Sequence, residues 1–442
     1  MLEQNLRMIL VLLVIFIATG RSSTEFTSKA KEKFRILGVF HHPGKSHFDV
    51  FKPLLEELAR RGHDVTVLSF FPRKVNDTGV EVLPNYKDIS LLGSVDVWVN
   101  VVHLETMSYS FMNHIIELPK LREWGLEHCE AIFKLANVKK LINSKEKYDL
   151  ILTENFNSDC FLGFVHRFQA PFIAMTSHQI MPWGYERMGS PDNPSYVPCT
   201  FLGFSSRMNF KERVINTVFT SVAKLTFNTA YQWSTQKIVN DAFGPNVPPL
   251  DEIARQTAAY LHNTHYSLHG AKPVAGNLVE IGGIHIGKAK ALPGDIKRFL
   301  DDANDGALLF SWGSMVKASS LPEEKLMAIL KVLGNIPRRV IWKWETNQLP
   351  MKPKNVMITK WLPQFDVMNH PNVKAYLSHG GLLGLTEGVY VGLPMVIVPM
   401  YGDQFHNAAA AAARGAAVIV RYDELDEITL KSALDKVFND TR

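Results

Sequence analysis

Short apolar runs of strand length alternate with helix-period segments along most of this sequence. That alternation is what a parallel β-sheet demands, because parallel neighbours must be joined by a crossover, usually a helix. "FRILGVF" (Phe34–Phe40) reads as a strand, and Phe48, Phe51, Leu55 and Leu58 then recur near helical period behind Ser46, a candidate N-cap. Pro53 falls within this helical stretch, so a kink or a shifted start is expected. Gly62 ends the segment and "HDVTVLSF" forms the second strand. "YDLILTE" (Tyr148–Glu154) and "APFIAMTS" (Ala170–Ser177) continue the series. Between about 180 and 265 the sequence changes to a Pro- and Gly-rich loop followed by a helical region with scattered aromatics, Lys211–Phe243.

A second series begins beyond "HGAKPVAGNLVEIGGIHIGKAKALPGD" (His269–Asp295), with strands in "GALLFSWGS", "RRVIWKW", "NVMITKWL", "VKAYLS", "PMVIVP" and "AAVIV" and helical segments among them. Two successive α/β halves predict two Rossmann-like domains whose parallel sheets face each other across a cleft. The length of 442 residues agrees, since single cores stop growing well below it. The divisions expected are 33–268 for the first domain, 269–290 for the linker and 291–442 for the second.

Composition excludes some partners. A formal net charge of +5 with no basic block argues against nucleic acid. Arg7 precedes an apolar run, Met8–Ala18, with small and polar residues after it; the run is shorter than the ~20 residues that span a bilayer and matches a secretory leader over 1–22. The 3 cysteines, Cys129, Cys160 and Cys199, are too few for a disulfide framework or a zinc site, although one bridge of unspecified pairing is possible in an oxidising lumen. Asn76 and Asn439 each begin a glycosylation triplet.

Neither opening strand is followed by G-x-G-x-x-G, and no Walker phosphate loop occurs, so a nucleotide must be held in another way. The stretch "SHGGLLGLTEGVYVGLPMVIVPMYGDQFHN" (378–407) offers one. His379 precedes Gly380 and Gly381, where a strand passes into a helix. Glycine admits close approach, and the helix start supplies unpaired N–H groups for a phosphate. Glu387, about two turns on, can accept two ribose hydroxyls. Upstream, Trp361 offers an indole face for a base, with Gln364 beside it. Asp403 and Gln404 follow a strand end and suit sugar hydroxyls, and Ser314 at another strand end is available to a diphosphate.

The run W-x-x-Q … SHGG … E … P … P … GDQ over 361–404, with "SH…LARRGHDVTVL" and "FSWGSM" elsewhere, resembles the UDP-glycosyltransferase family (glycosyltransferase family 1, GT-B fold); "TENFNSDCFLGFVHRF" is similar to insect members. The resemblance implies that Trp361 stacks on uracil, Gln364 contacts the nucleoside, Glu387 holds ribose, His379 and Ser314 bind the diphosphate, and Asp403 and Gln404 bind the sugar. It implies His47 as the base that deprotonates the acceptor, with a carboxylate to orient it: Glu154, where vertebrate relatives have Asp, or Asp159 in reserve. Where relatives often carry Asn or Ser on the phosphate, this chain has Leu383 and Gly384. A metal site at His41, His42 and His47 is disfavoured for want of a carboxylate at ligand spacing, and the family uses neither metal nor cofactor beyond the UDP-sugar.

The function implied is inverting transfer of a hexose from UDP-glucose, or alternatively UDP-glucuronate, to a hydroxyl of small lipophilic acceptors in detoxification-type conjugation. A non-catalytic UDP-sugar- or lipophile-binding relative is the rival. Family members continue beyond the position of Arg442 into further helices, a membrane-spanning helix and a basic tail. The resemblance therefore implies a C-terminally truncated chain whose complete form is a membrane glycoprotein of the endoplasmic reticulum, with its domains in the lumen.

Overall fold

The computed structural model describes residues 32–74, 80–107 and 111–439. The expected leader, Asn76 and the last residues of the Asn439 triplet lie outside them. The first half carries β1 (Arg35–Val39), β2 (Asp64–Ser69), β3 (Tyr86–Ser90), β4 (Val102–His103), β5 (Leu150–Glu154), β6 (Phe172–Thr176), β7 (Ala259–His262) and β8 (Leu278–Glu280). The second carries β9 (Ala307–Ser311), β10 (Val316–Lys317), β11 (Arg339–Lys343), β12 (Val356–Thr359), β13 (Val373–Ser378), β14 (Met395–Ile397) and β15 (Ala417–Ile419).

These strands form a 7-stranded sheet in the order β3-β2-β1-β5-β6-β7-β8 and a 6-stranded sheet in the order β12-β11-β9-β13-β14-β15. Every pairing is parallel. The reason is legible in the central strands, which are apolar on both faces, as sheets covered by helices on both sides must be. In β1 Ile36 packs into one core cluster and Leu37 into the opposite one, and Leu150 and Ile151 of β5 divide in the same way. In the second sheet Leu308 and Phe310 of β9 face one cluster and Ala307 and Leu309 the other.

One local expectation is corrected at the first crossover helix, which spans Lys45–Arg60 with Pro53 inside it. Its N-cap is Gly44, with no side-chain cap, so Ser46 lies inside the first turn. Gly44 is required there by space: a Cβ would stand 2.8 Å from the His42 ring. Beyond it, β8 extends the first sheet to Glu280, within the stretch expected to be linker.

The halves are joined by more than that linker. The first-half strand β4 pairs in parallel with second-half β10, Val102 opposite Val316 and His103 opposite Lys317. Leu104 follows it into the core of the second half, where its N–H donates to Ser320 Oγ (2.8 Å) and its carbonyl accepts from the Tyr422 hydroxyl (3.1 Å).

Candidate active site

In an open parallel sheet, ligands bind outside the carboxyl edge where strand order reverses. The first sheet reverses between β1 and β5, and the second between β9 and β13. Those four strand ends deliver His47, Glu154, Ser314 and His379. The two edges confront each other across a cleft of about 430 Å³, lined by His47 and His178 from the first half and by Ser314, Trp361, His379 and Asp403 from the second.

On the first-half wall, His47 Nδ1 lies 2.6 Å from Glu154 Oε1. Burial pushes the Glu154 pKa up, but the hydrogen bond and charge of His47, with His41 and His178 behind, outweigh it and leave the pKa lowered. An ionised Glu154 fixes the tautomer: Nδ1 carries the proton and Nε2 is left as the basic nitrogen. The surroundings are neutral imidazoles. The His42 ring lies against His47, tilted by 35°, with centroids 3.9 Å apart, and His178 lies 5.7 Å away. Burial, then the charge of His47, lowers the pKa of His178 to about 4; His42 is lowered well below its usual value for the same reasons. Among the described residues no group of three or more His, Cys, Asp or Glu side chains is arranged to hold a metal ion.

Asp159 does not reach His47. Its Oδ1 accepts from Arg187 Nη1 at 2.8 Å, and its Oδ2 is taken by Arg187 Nη2 and by Gln232. The buried guanidinium holds this carboxylate away from His47, while Glu154, the last residue of β5, is buried directly behind the His47 ring. A disulfide between Cys129 and Cys160 fastens the following loop to the helix Phe111–Lys134, leaving Cys199 buried and free.

On the opposite wall, β13 ends at Ser378 and the helix Leu382–Val391 begins after Gly381, its N-cap, with no side-chain cap bond. Gly380 sits at φ +89°, and a Cβ there would be 2.9 Å from Ile397. His379 is wedged between two glycines: a Cβ at Gly313 would come within 2.8 Å of its ring and one at Gly381 within 2.6 Å. Burial, then Lys343, lowers the His379 pKa to about 4, so it presents a neutral ring beside open helix N–H groups. Gln364 Nε2 donates to Glu387 Oε2 at 2.7 Å, and Trp361, 59% exposed, leaves its indole open to the cleft. Gln404 Oε1 accepts the N–H groups of Met400 (2.9 Å) and Tyr401 (3.3 Å). Asp403 Oδ2 accepts from Asn407 Nδ2 at 2.8 Å.

Of the residues singled out from sequence, His47, Ser314, Trp361, Gln364, His379, Gly381, Glu387, Asp403 and Gln404 line one cleft; Glu154 stands behind it on His47, Gly380 and Asp159 do not line it, and Asn76 lies outside the described residues. Residues 40–442 match the family profile described as "UDP-glucoronosyl and UDP-glucosyl transferase". The chain belongs to the UDP-glycosyltransferase family. It is 37% identical to UDP-glycosyltransferase UGT5 of Dactylopius coccus, over 95% of this chain and 79% of that protein. It is 30% identical to UDP-glucuronosyltransferase 2B15 of Homo sapiens, over 89% and 76% respectively. The calicheamicin glycosyltransferase CalG4 superposes with TM-score 0.59 at 17% identity, over 93% of this chain and 91% of that one. The GT-B fold is thus shared with solved glycosyltransferases.

Several groups of this transferase's site escape sequence reading. Glu117 reaches across the cleft, its Oε1 accepting the N–H of Gly402 (3.1 Å) next to Asp403. Asn100 N–H donates to the Ser314 carbonyl (2.9 Å), and Trp98 N–H to the Pro43 carbonyl (3.1 Å), so one segment ties the His47 loop to the Ser314 loop. No motif announces either contact, because each depends on the meeting of two halves. The unusual Gly384 also gains a reason: a Cβ there would stand 2.9 Å from both Gln364 Nε2 and the Tyr376 hydroxyl. Glycine leaves the room in which Gln364 reaches Glu387.

Proposed function

We propose that this enzyme transfers a hexose, glucose, from UDP-glucose to a hydroxyl of small lipophilic acceptors with inversion at the anomeric carbon. The observation that carries the reading is the 2.6 Å contact of His47 with Glu154, facing the cleft wall that bears His379. His47 Nε2 takes the acceptor proton as the acceptor oxygen attacks C1 of the sugar from the side opposite UDP. The new C1–O bond forms as the bond to the diphosphate breaks, and Glu154 stabilises the imidazolium. The charge left on UDP is met by His379, Ser314 and the N–H groups at the start of Leu382–Val391. Trp361 and Gln364 hold the nucleoside, Glu387 the ribose, and Asp403 and Gln404 the sugar.

A relative named UDP-glucosyltransferase 2 of Dactylopius coccus, 34% identical, favours glucose over glucuronate. The Cys129–Cys160 bridge favours an oxidising compartment, in keeping with the lumen of the endoplasmic reticulum. The test is transfer from radiolabelled UDP-glucose to a panel of phenols. His47→Ala is expected to lower kcat by about 1,000-fold or more while UDP still binds. UDP binding without transfer in the wild type would establish a binding protein instead, and transfer undiminished in the variant would remove His47 as the base.

A further inference from the structure

Beyond β8 the chain runs "IGGIHIGKAK" (Ile281–Lys290) before it enters the second half. Its apolar residues turn back to the first half: Ile281 is buried in the core cluster of Ile36, and Ile284 packs against that cluster. The glycines between them make the turn possible. A Cβ at Gly282 would stand 2.6 Å from the Thr264 carbonyl, and Gly283 sits at φ +87°, where a side chain is strained. The Ile284 N–H donates to the Ile281 carbonyl (3.0 Å) and the Ile286 N–H to the Gly283 carbonyl (2.9 Å). These two turns hold His285 between them.

The His285 side chain is only 6% exposed and faces the second-half helix Leu382–Val391. Its Nε2 lies 3.9 Å from Glu387 Oε1, about 1 Å longer than a hydrogen bond, with the Leu383 backbone beside the ring. Neither ring nitrogen completes a hydrogen bond. Burial lowers the His285 pKa to about 4 against the Leu383 backbone and Asp49, so the ring is neutral and has one N–H to give. Glu387 lines both the cleft and a second cavity of about 860 Å³; His285 lines only the second, so it approaches Glu387 from the side away from the cleft. Asp49 and Asp366 line both cavities as well, but each has another partner. Lys45 Nζ lies 2.6 Å from both oxygens of Asp49, and Asp366 Oδ1 accepts the N–H of Lys290 at 2.7 Å. Glu387 has Gln364 on Oε2 and turns Oε1 toward His285.

We infer that His285 is a positioning residue for the nucleotide, donating its Nε2–H to Glu387 Oε1 when ribose is bound. The inference rests on the proposed contact of Glu387 with ribose and adds the group that aims it. A carboxylate that accepts two ribose hydroxyls must hold its plane, and the Gln364 bond fixes only one of its oxygens. A donor to the other oxygen, from behind, fixes the plane and leaves each oxygen a lone pair for a hydroxyl. It also offsets the cost of ionising a buried carboxyl, which the two hydroxyls require. Because His285 belongs to a segment seated on the first-half core, the first half takes part in reading a nucleoside otherwise held by the second.

The test is calorimetric binding of UDP and of its 2′,3′-dideoxy analogue, which offers Glu387 no hydroxyl, to the full chain. His285→Phe and His285→Leu fill the space without a donor, His285→Gln keeps a donor without the ring, and Glu387→Ala removes the acceptor. Melting curves check that each variant is folded. The Phe and Leu variants should bind UDP about tenfold more weakly than wild type and the dideoxy analogue within about twofold of it, and the Gln variant should recover most of the loss. In transfer, the KM for UDP-glucose should rise about tenfold in the donor-less variants while kcat stays within about twofold, since the reacting centre lies at His47. UDP binding unchanged without the donor, an equal loss for both nucleotides, or a Gln variant no better than Phe would overturn the inference. Glu387→Ala distinguishes this failure from that of the ribose contact. A Glu387→Ala protein that still prefers UDP to the dideoxy analogue removes the contact on which the inference rests. Loss of that preference there, with none in the donor-less His285 variants, sinks the inference alone.

Discussion

Glu387 keeps its proton to about pH 7, because burial raises its pKa more than the Gln364 hydrogen bond lowers it. If it holds ribose through two accepted hydrogen bonds, it must be ionised to do so. UDP affinity should therefore rise several-fold from pH 6 to pH 8, the roughly 1–2 kcal/mol by which a charged acceptor exceeds a neutral one. Glu387→Gln serves as reference, since UDP's own ionisation affects both proteins alike. Calorimetric titrations giving parallel pH curves would remove Glu387 from the ribose. The two carboxylates near His47 separate as cleanly. Glu154→Gln should lower kcat by about 100-fold or more with UDP binding intact, because the imidazolium loses its counter-charge. Asp159→Asn should act on stability, by about 3–5 kcal/mol, because it strands the buried Arg187 guanidinium. Thermal melts beside kcat measurements distinguish the two, and a reversed pattern would restore Asp159 as the orienting group.

At the scale of the element, a turn is read by what it must make room for. Relatives with a polar residue at the position of Gly384 invite the idea that restoring one would strengthen phosphate binding. The geometry here says the opposite. A Cβ at 384 meets Gln364 Nε2 and the Tyr376 hydroxyl at 2.9 Å, so Gly384→Ser should push Gln364 off Glu387 and weaken UDP binding, by about 1–3 kcal/mol. A tighter UDP complex in that variant would show that the serine reaches the phosphate after all. The same scale explains what was legible in the sequence. Strands β1, β5, β9 and β13 were readable because both their faces are apolar, and the residues at their carboxyl ends followed from the parallel topology. Edge strand β3, "YKDIS", is only half-buried and carries no apolar run. Strand β4 has two residues and exists only because β10 is there to pair with it. The pairing of Cys129 with Cys160, and the capture of Asp159 by Arg187, depend on helix packing that no local pattern encodes.

At the scale of the molecule, the cleft is closed by groups that each half lends the other, and Glu117 makes that closure sensitive to pH. It lies on a first-half helix, accepts the N–H of second-half Gly402, and has its other carboxyl oxygen buried without a partner. Burial raises its pKa from 4.5 to about 7, Asp403 adding to the rise and the Gly402 bond opposing it. A raised carboxyl pKa means that the folded state binds the proton more tightly than the unfolded chain. Its stabilising effect is whole below pH 4.5 and is lost as pH climbs through 7, to the extent of about 3 kcal/mol. Opening the cleft would return Glu117 to water and relieve the same penalty, so alkaline pH favours the open molecule. Glu117→Gln still accepts from Gly402 but has nothing to ionise. Its melting temperature should equal that of wild type at pH 4 and exceed it at pH 8, by several degrees for a difference of this size. An equal shift at both pH values would mean that the proton is held elsewhere and that Glu117 does not make the closure sensitive to pH.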